Sequence, residues 1–131
     1  NSIAIIPMIT LCKIIIKKME ILIELYSSET AQKIWDNLPL ISKCNTWGNE
    51  VYFHTSINSQ IEHDAKSEIN LGEIAFWPGG KAIAIGFGRT PLSIDNEIKL
   101  AADCNVWGFT NFDLKKLKKV NDGDLVRVEK V

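Results

Sequence analysis

The sequence predicts an all-β fold, a closed barrel of about eight strands with two capping helices. Short runs rich in β-branched and aromatic residues recur along the chain, and Gly, Pro, Asn and Asp separate them. Only two stretches have the apolar spacing of a helix. Many short strands with few helices favour a barrel, because closure leaves no unpaired strand edge.

Length and charge limit the classes of function. The chain has 131 residues, enough for one hydrophobic core, and residues 1–131 are predicted to form a single domain. Its 15 Lys and Arg balance 16 Asp and Glu, for a net charge of -1. Because this balance produces no field that attracts polyanions, we predict neither nucleic acid nor a membrane surface as a partner. The oligomeric state is not predicted.

The N-terminal apolar run, residues 3–16, favours a strand over a membrane helix. A spanning helix needs about 20 apolar residues, whereas this run is shorter and Lys13 interrupts it. Its β-branched residues are typical of strands. The sequence does not begin with Met, so residues 1–8 are predicted to be an N-terminal extension or a cloning remnant outside the core fold.

Three cysteines, Cys12, Cys44 and Cys104, are widely spaced, without a CxxC pair or a nearby histidine. This spacing predicts reduced, buried thiols rather than a metal site, with a single disulfide as the alternative. Reduced thiols are typical of the cytoplasm, which is the predicted location. We predict no cofactor and no metal.

The first half of the chain begins with a predicted hairpin, residues 11–17 and 20–26. A helix over residues 28–38 follows, with Ser28 as N-cap, Pro39 as terminator and one apolar stripe. The stripe consists of Ala31, Ile34, Trp35 and Leu38. A strand is predicted at residues 51–55, and residues 56–70 are predicted to be a surface loop with a short edge strand at 57–61.

The central feature of the second half is a predicted hairpin within residues 72–93, whose runs are joined by Pro78-Gly79-Gly80. These glycines tolerate positive φ angles, as a tight turn between two strands often requires. Residues 92–103 are predicted to be irregular. The remaining elements are a strand at 104–110, a helix at 112–119 capped by Asn111 and carrying Leu114 and Leu117 on one face, and a closing strand at 125–131.

Aromatic and cationic side chains near the predicted strand ends form the candidate ligand site. Three tryptophans, Trp47, Trp77 and Trp107, adjoin Gly or Pro and serve either as barrel-end plugs or as walls of a hydrophobic pocket. By contrast, Glu62-His63-Asp64 is interpreted as a solvated loop rather than a metal site. The candidate ligand-binding residues are Trp47, Tyr52, Phe53, His54, Trp77, Lys81, Phe87, Arg89 and Thr90.

Seven short motifs occur together along the chain. They are Asn45-Thr46-Trp47-Gly48, Tyr52-Phe53, Gly72-Glu73, Trp77-Pro78, Gly80-Lys81, Phe87-Gly88 and Thr90-Pro91. This combination resembles the small prokaryotic cyclophilin-like family, single-domain proteins whose cellular role is unassigned. The resemblance extends from about Leu11 to Val131. It implies a cyclophilin-like eight-stranded barrel, in agreement with the predicted strands.

Peptidyl-prolyl isomerase cyclophilins are a more distant resemblance. Phe53-His54 is similar to the start of their catalytic Phe-His-Arg motif, but Thr55 stands in place of the arginine. Loss of one preorganised donor to a transition state removes about 10²–10³ in rate. The sequence therefore predicts a non-catalytic module that binds a small molecule or short peptide. A weak isomerase is the alternative, and an accessory subunit acting through an edge strand is a third class.

Overall fold

A computed structural model describes residues 9–131 and confirms the all-β fold. The described residues form ten strands. Residues 1–8, expected to be an extension, lie outside the described residues. The strands are β1 (Leu11–Ile16), β2 (Met19–Leu25), β3 (Leu40–Lys43), β4 (Asn45–Thr46), β5 (Glu50–His54), β6 (Lys66–Ile69), β7 (Glu73–Trp77), β8 (Ala82–Gly86), β9 (Ile98–Phe109) and β10 (Leu125–Lys130).

All strand pairs are antiparallel, and nine strands follow one another in the order β3-β10-β1-β2-β9-β7-β8-β5-β4. The tenth strand, β6, pairs with β9 beside this order. The sheet curls until its ends approach each other, where Ser42 Oγ of β3 donates a hydrogen bond to the His54 carbonyl of β5 at 2.6 Å. The result is a nearly closed barrel, one strand larger than the predicted eight.

Alternating side chains fill the inside of the barrel. In β1 every second residue is buried, because successive side chains of a strand point to opposite faces. The same alternation in β10 and the central strands adds aliphatic and aromatic side chains to this inner core. Its members include Ile14, Ile16, Ile21, Ile23, Val51, Phe53, Ile83, Ile85, Trp107, Val126 and Val128.

The predicted first helix is confirmed as α1 (Glu29–Asp36), two residues shorter than expected at its C-terminal end. Ser28 caps it, since its hydroxyl accepts a hydrogen bond from the Ala31 amide at 3.1 Å. Ala31 and Ile34 are buried against the inner core. Trp35 is half-buried at the edge of that core, with Lys130 Nζ 4.9 Å from its ring centroid.

The second capping helix is a 3-10 helix at Leu114–Lys119. Leu114 and Leu117 are both buried, as their shared face predicts. The prediction that Asn111 caps this helix is wrong. The chain enters the helix two residues later, at Asp113, because Thr110 Oγ1 first accepts a hydrogen bond from the Phe112 amide at 3.1 Å and forms a separate turn.

The central hairpin is confirmed as β7 and β8, joined by a 3-10 turn at Pro78–Gly80. Its positive φ angle occurs at Lys81 (51°) rather than at Gly79 or Gly80. Gly80 is needed for another reason. A Cβ atom there would lie 2.2 Å from the Trp77 ring, so the glycine allows the indole to fold over the turn.

Two predictions about the connecting segments are wrong. The strand in residues 56–70 is β6 at Lys66–Ile69 rather than an edge strand at 57–61, and Ile57 is buried in the inner core. Residues 92–103 are not wholly irregular, because β9 begins at Ile98. Together, β6 and residues 98–104 of β9 form what we call the outer layer, which packs on the outer face of β7 and β8.

A small second hydrophobic cluster holds the outer layer against the barrel. It consists of Ile69, Ala75, Ala84, Ile98, Leu100 and Cys104. Within residues 9–131, no helix combines the length and the apolar character needed to span a bilayer.

Candidate functional site

A cavity of about 270 Å³ lies between the outer layer and the outer faces of β5, β7 and β8. Three aromatic rings, four alanines and three larger side chains line it. They are Trp47, Tyr52 and Trp77; Ala82, Ala84, Ala101 and Ala102; and Glu50, Leu100 and Cys104. The cavity is therefore apolar, with one acidic group.

Small residues on the outer face of β8 explain why there is space here. Ala84 is paired with Tyr52 of β5, and Gly86 is paired with Glu50. A Cβ atom at Gly86 would lie 2.5 Å from Ile98 Cγ2, so this glycine lets the outer layer approach the barrel closely. Beside that contact, the alanine methyl groups are too short to fill the gap, and a cavity is left.

Glu50 is the one carboxyl group that lines the cavity. It starts β5, on the same face as Tyr52 two residues later. Glu50 is 7% exposed, and its Oε1 atom has no hydrogen-bond partner within residues 9–131. Burial raises the pKa of the Glu50 carboxyl to about 7, because the charged form loses its hydration. An unpartnered buried carboxyl is unusual and calls for an explanation.

Cys104 also lines the cavity, but its thiol is not activated. Burial raises the pKa of Cys104 to about 12, with further contributions from the carboxylates of Glu50 and Asp103. A thiol in this state is a poor nucleophile, since the thiolate is the reactive form. All three cysteines are free and buried, as predicted. The cavity is thus better suited to binding than to covalent chemistry.

Of the nine candidate residues, Trp47, Tyr52 and Trp77 line the cavity. Phe53 does not, because it points to the opposite face of β5 and is fully buried in the inner core. Phe87 also belongs to that core.

Four polar candidates make local contacts outside the cavity lining. The imidazole Nδ1 of His54 lies 2.8 Å from the Gly80 carbonyl oxygen, and Lys81 is exposed at the hairpin turn. The Arg89 guanidinium donates hydrogen bonds to the Asp95 and Ser93 carbonyls of its own loop. The Thr90 hydroxyl donates to the Lys99 carbonyl. These contacts order loops beside the cavity.

The third aromatic candidate for a barrel-end plug, Trp107, is fully buried in the inner core, where its Nε1 donates a hydrogen bond to the Ala75 carbonyl at 3.1 Å. Trp77 is 36% exposed, and Trp47 is half-buried. The two tryptophans at the cavity therefore retain accessible ring surface, whereas Trp107 has none.

Sequence reasoning missed Glu50 and the small residues of the lining. Two signals were available. Ala82, Ala84 and Gly86 alternate along β8, which marks a strand face with no side-chain volume. Glu50 is an acidic residue at the start of an otherwise apolar strand, and it is directly paired with Gly86.

The position that corresponds to the isomerase arginine carries no free donor. Thr55 Oγ1 donates a hydrogen bond to the Lys81 carbonyl at 2.8 Å and accepts one from the Ile57 amide at 3.0 Å. In the described part of the chain, no three His, Cys, Asp or Glu side chains come close enough together to hold a metal ion. His63 is exposed, and Glu62 accepts a hydrogen bond from the Thr30 amide at 3.2 Å.

Comparison with known proteins agrees with this architecture. The solution structure of the hypothetical protein AF2241 from Archaeoglobus fulgidus is similar to this chain, with 38% identity and a TM-score of 0.80. The similarity covers 94% of this chain and 95% of that one. No curated protein matches significantly. A sequence model described as cyclophilin-like matches residues 10–129, and the chain belongs to the cyclophilin-like family.

Proposed function

We propose that this protein is a binding module that takes up a small molecule in the cavity beside the outer layer. The observation that carries the proposal is the cavity itself, about 270 Å³ with Trp47, Tyr52 and Trp77 in its lining. Ligand sites are typically concave and largely apolar, with few polar groups that fix orientation. A single buried carboxyl, that of Glu50, supplies the polar group here.

The size of the cavity limits the ligand. Pockets for drug-sized ligands span about 300–1,000 Å³, so this cavity, at about 270 Å³, lies just below that range. A single aromatic or aliphatic group fills such a volume, either as a free compound or as one side chain of a short peptide. The aromatic rings provide large contact areas at low cost in side-chain entropy.

The isomerase alternative receives little support from the same contacts. Phe53 is buried in the inner core, the Thr55 hydroxyl is engaged with backbone groups, and the Arg89 guanidinium is held by its own loop. Neither Thr55 nor Arg89 is thus available as a preorganised donor to a twisted proline amide. We expect no measurable acceleration of X-Pro isomerisation in a coupled assay. Turnover that disappears in Arg89→Ala would overturn this expectation.

The cysteines favour a reducing compartment for this activity. Cys12, Cys44 and Cys104 are free and lie deep in the protein, without a disulfide. Free buried thiols persist where glutathione and thioredoxin keep proteins reduced. We therefore propose that the protein acts in the cytoplasm.

Filling the cavity tests the binding function. Ala84→Leu adds volume at the cavity floor, and Ala65→Leu makes the same change on the half-buried loop before β6, away from the lining. Small aromatic probes such as benzyl alcohol should shift the indole NMR signals of Trp47 and Trp77 in the wild type and in Ala65→Leu. They should not do so in Ala84→Leu.

The readout separates binding from misfolding. The indole signal of the buried Trp107 should be unaffected by the probes and should keep its dispersion in both variants. If Ala84→Leu remains folded and binds the probes as the wild type does, the cavity is not the binding site. If neither Trp47 nor Trp77 responds to any probe in the wild type, the proposed function is wrong.

A further inference from the structure

We propose that Glu50 makes this cavity selective for a small ligand that carries a protonated or methylated amine. The ammonium group would face the Glu50 carboxylate, and the rings of Trp47, Tyr52 and Trp77 would surround its apolar side. This inference rests on the proposed binding function and names its ligand class. The amine can belong to a free compound or to a lysine side chain of a peptide, because both present the same chemistry.

The first step of the argument is the unpartnered oxygen. Glu50 is more than nine-tenths buried, and Oε1 receives no hydrogen bond from any residue in 9–131. Buried polar atoms are nearly always paired, because desolvation without a partner is unfavourable. Since Glu50 lines the cavity, a cationic group bound there would offset the charge of its desolvated carboxylate, with or without a hydrogen bond.

The second step is the chemistry of the surrounding wall. Aromatic faces carry partial negative charge and attract cations, most strongly for Trp. Two tryptophans and one tyrosine line the cavity beside the carboxyl group. Aromatic rings together with an acidic group are the arrangement that recognises quaternary and methylated ammonium groups. An anionic ligand would instead meet the carboxylate and the negative ring faces.

The third step is the set of charges around Glu50. Tyr52 of β5 and Cys104 of β9 share the cavity with it, and burial raises the pKa of the Cys104 thiol to about 12, so this thiol stays uncharged. Asp103 adjoins Cys104 and adds negative potential. Lys118 of the last 3-10 helix lines a neighbouring depression with Glu50, but forms no ion pair with it among the described residues. No cation of the described chain occupies the position that the ligand would take.

The pH dependence follows from linkage. Burial raises the pKa of Glu50 to about 7, so below that pH the free protein must release a proton before the carboxylate can pair with a cation. The affinity for a permanent cation should therefore fall by up to about tenfold per pH unit below pH 7. Above pH 8 it should be constant, because the carboxyl group is already ionised.

Calorimetry with two matched probes tests the proposal. Benzyltrimethylammonium carries a permanent charge, and benzyl alcohol is its neutral counterpart. At pH 8 the wild type should bind the cation at least about tenfold more tightly than Glu50→Gln does, whereas the affinity for benzyl alcohol should differ little between the two proteins. Cation affinity of the wild type should decrease from pH 8 to pH 6, and that of Glu50→Gln should not.

A histidine control isolates the titrating group. Histidine is the side chain type that ordinarily changes charge near neutral pH. His54 is the histidine beside the cavity lining, with its ring centroid 5.8 Å from that of Tyr52. His54→Gln should retain the pH dependence of cation binding. If His54→Gln abolishes that dependence and Glu50→Gln retains it, the assignment to Glu50 is overturned.

Two peptides distinguish the sources of the amine. One carries a trimethyllysine, and the other carries norleucine at the same position. If only the trimethyllysine peptide binds, and binds more tightly than benzyltrimethylammonium, the ligand is a peptide. If benzyltrimethylammonium binds more tightly than the trimethyllysine peptide, the ligand is a free amine. Either result supports an ammonium site.

The outcomes also separate this inference from the proposed function. If benzyl alcohol and benzyltrimethylammonium bind wild type equally at pH 8, the cavity binds ligands but the ammonium selectivity is wrong. The same conclusion follows if Glu50→Gln keeps the preference while its thermal unfolding shows a folded protein. If neither probe binds to the wild type at millimolar concentration, both proposals fail.

Discussion

The two faces of β8 differ in a way that separates the framework of this protein from its candidate site. On the inner face, Ile83 and Ile85 are fully buried in the barrel core. On the outer face, Ala82, Ala84 and Gly86 provide almost no volume and face the cavity and the outer layer. One strand of five residues therefore supports a filled core on one side and an unfilled cavity on the other.

The residues of β8 are buried in two different environments. Every residue of β8 is buried, yet only the inner ones contact a large cluster of side chains. The outer residues are covered by a separate layer, which a cluster of only six residues joins to the barrel. Stability should depend mainly on the inner face, and ligand selectivity on the outer face.

The largest expected effect comes from removing volume on the inner face. Ile83→Ala should lower the free energy of unfolding by about 2–5 kcal/mol, because it deletes buried methyl and methylene groups and leaves a cavity in a filled core. Urea denaturation measures the change. As a control, Ile41→Ala removes the same atoms from a side chain that is 69% exposed, and should change stability by about 0.5 kcal/mol or less. If Ile83→Ala and Ile41→Ala lower the free energy of unfolding equally, the inner face does not determine stability as proposed.

The next effect concerns the charge on the outer face. Because burial raises the pKa of Glu50 to about 7, from an ordinary value near 4.3, the folded state binds this proton more tightly than the unfolded state. The stability that the group contributes is present below its unfolded pKa and is lost as pH rises through the folded pKa. Between about pH 4.5 and pH 8, the loss should be on the order of 3 kcal/mol.

Glu50→Gln should remove most of that pH dependence, since an amide does not ionise. Urea denaturation at pH 5 and pH 8 checks it, with Glu24→Gln as a matched change of an exposed strand glutamate. If wild type and Glu50→Gln lose stability equally between these pH values, then Glu50 is not buried as a titrating group.

The smallest effect is expected from filling the contact between the barrel and the outer layer. The new methyl group of Gly86→Ala would lie 2.5 Å from Ile98 Cγ2, which forces the outer layer to move. Overfilling of a close contact costs about 1–3 kcal/mol. The double variant Gly86→Ala with Ile98→Ala removes the clashing group. Its loss of free energy of unfolding should be smaller than the sum of the losses of the two single variants. Additive costs would show that the two residues are not in contact.

Much of the barrel was predictable, because strand and helix signals are local. The first hairpin, the Ser28 cap, the stripe of α1 and the central hairpin follow from periodicity and turn residues. The outer layer was not predicted, because charged residues such as Lys99 and Asp103 give residues 92–103 the composition of a loop, although they alternate with the buried residues of β9. Its burial comes from contact with a distant hairpin rather than from its own composition.

The candidate site was predictable only in part, for a similar reason. Trp47 adjoins Gly48 and Trp77 adjoins Pro78, which made both candidates, and together with Tyr52 they line the cavity. Phe53 and Phe87 looked equivalent in sequence, but the alternation of β5 directs Phe53 into the inner core, and Phe87, which follows β8, is buried there as well. Arg89 is a cation next to the central hairpin, but its guanidinium donates hydrogen bonds to carbonyls of its own loop, which the sequence does not indicate.

Local patterns in the sequence suffice to predict the barrel, because alternating apolar residues must bury one face of each strand and short turns bring those strands together. The place of the unfilled space and the identity of the carboxyl group that loses its water follow from the tertiary contacts alone. Both depend on how closely residues 98–104 approach Gly86 and Glu50, which are far away in the sequence. Desolvation depends on every neighbouring atom, and no local pattern records it.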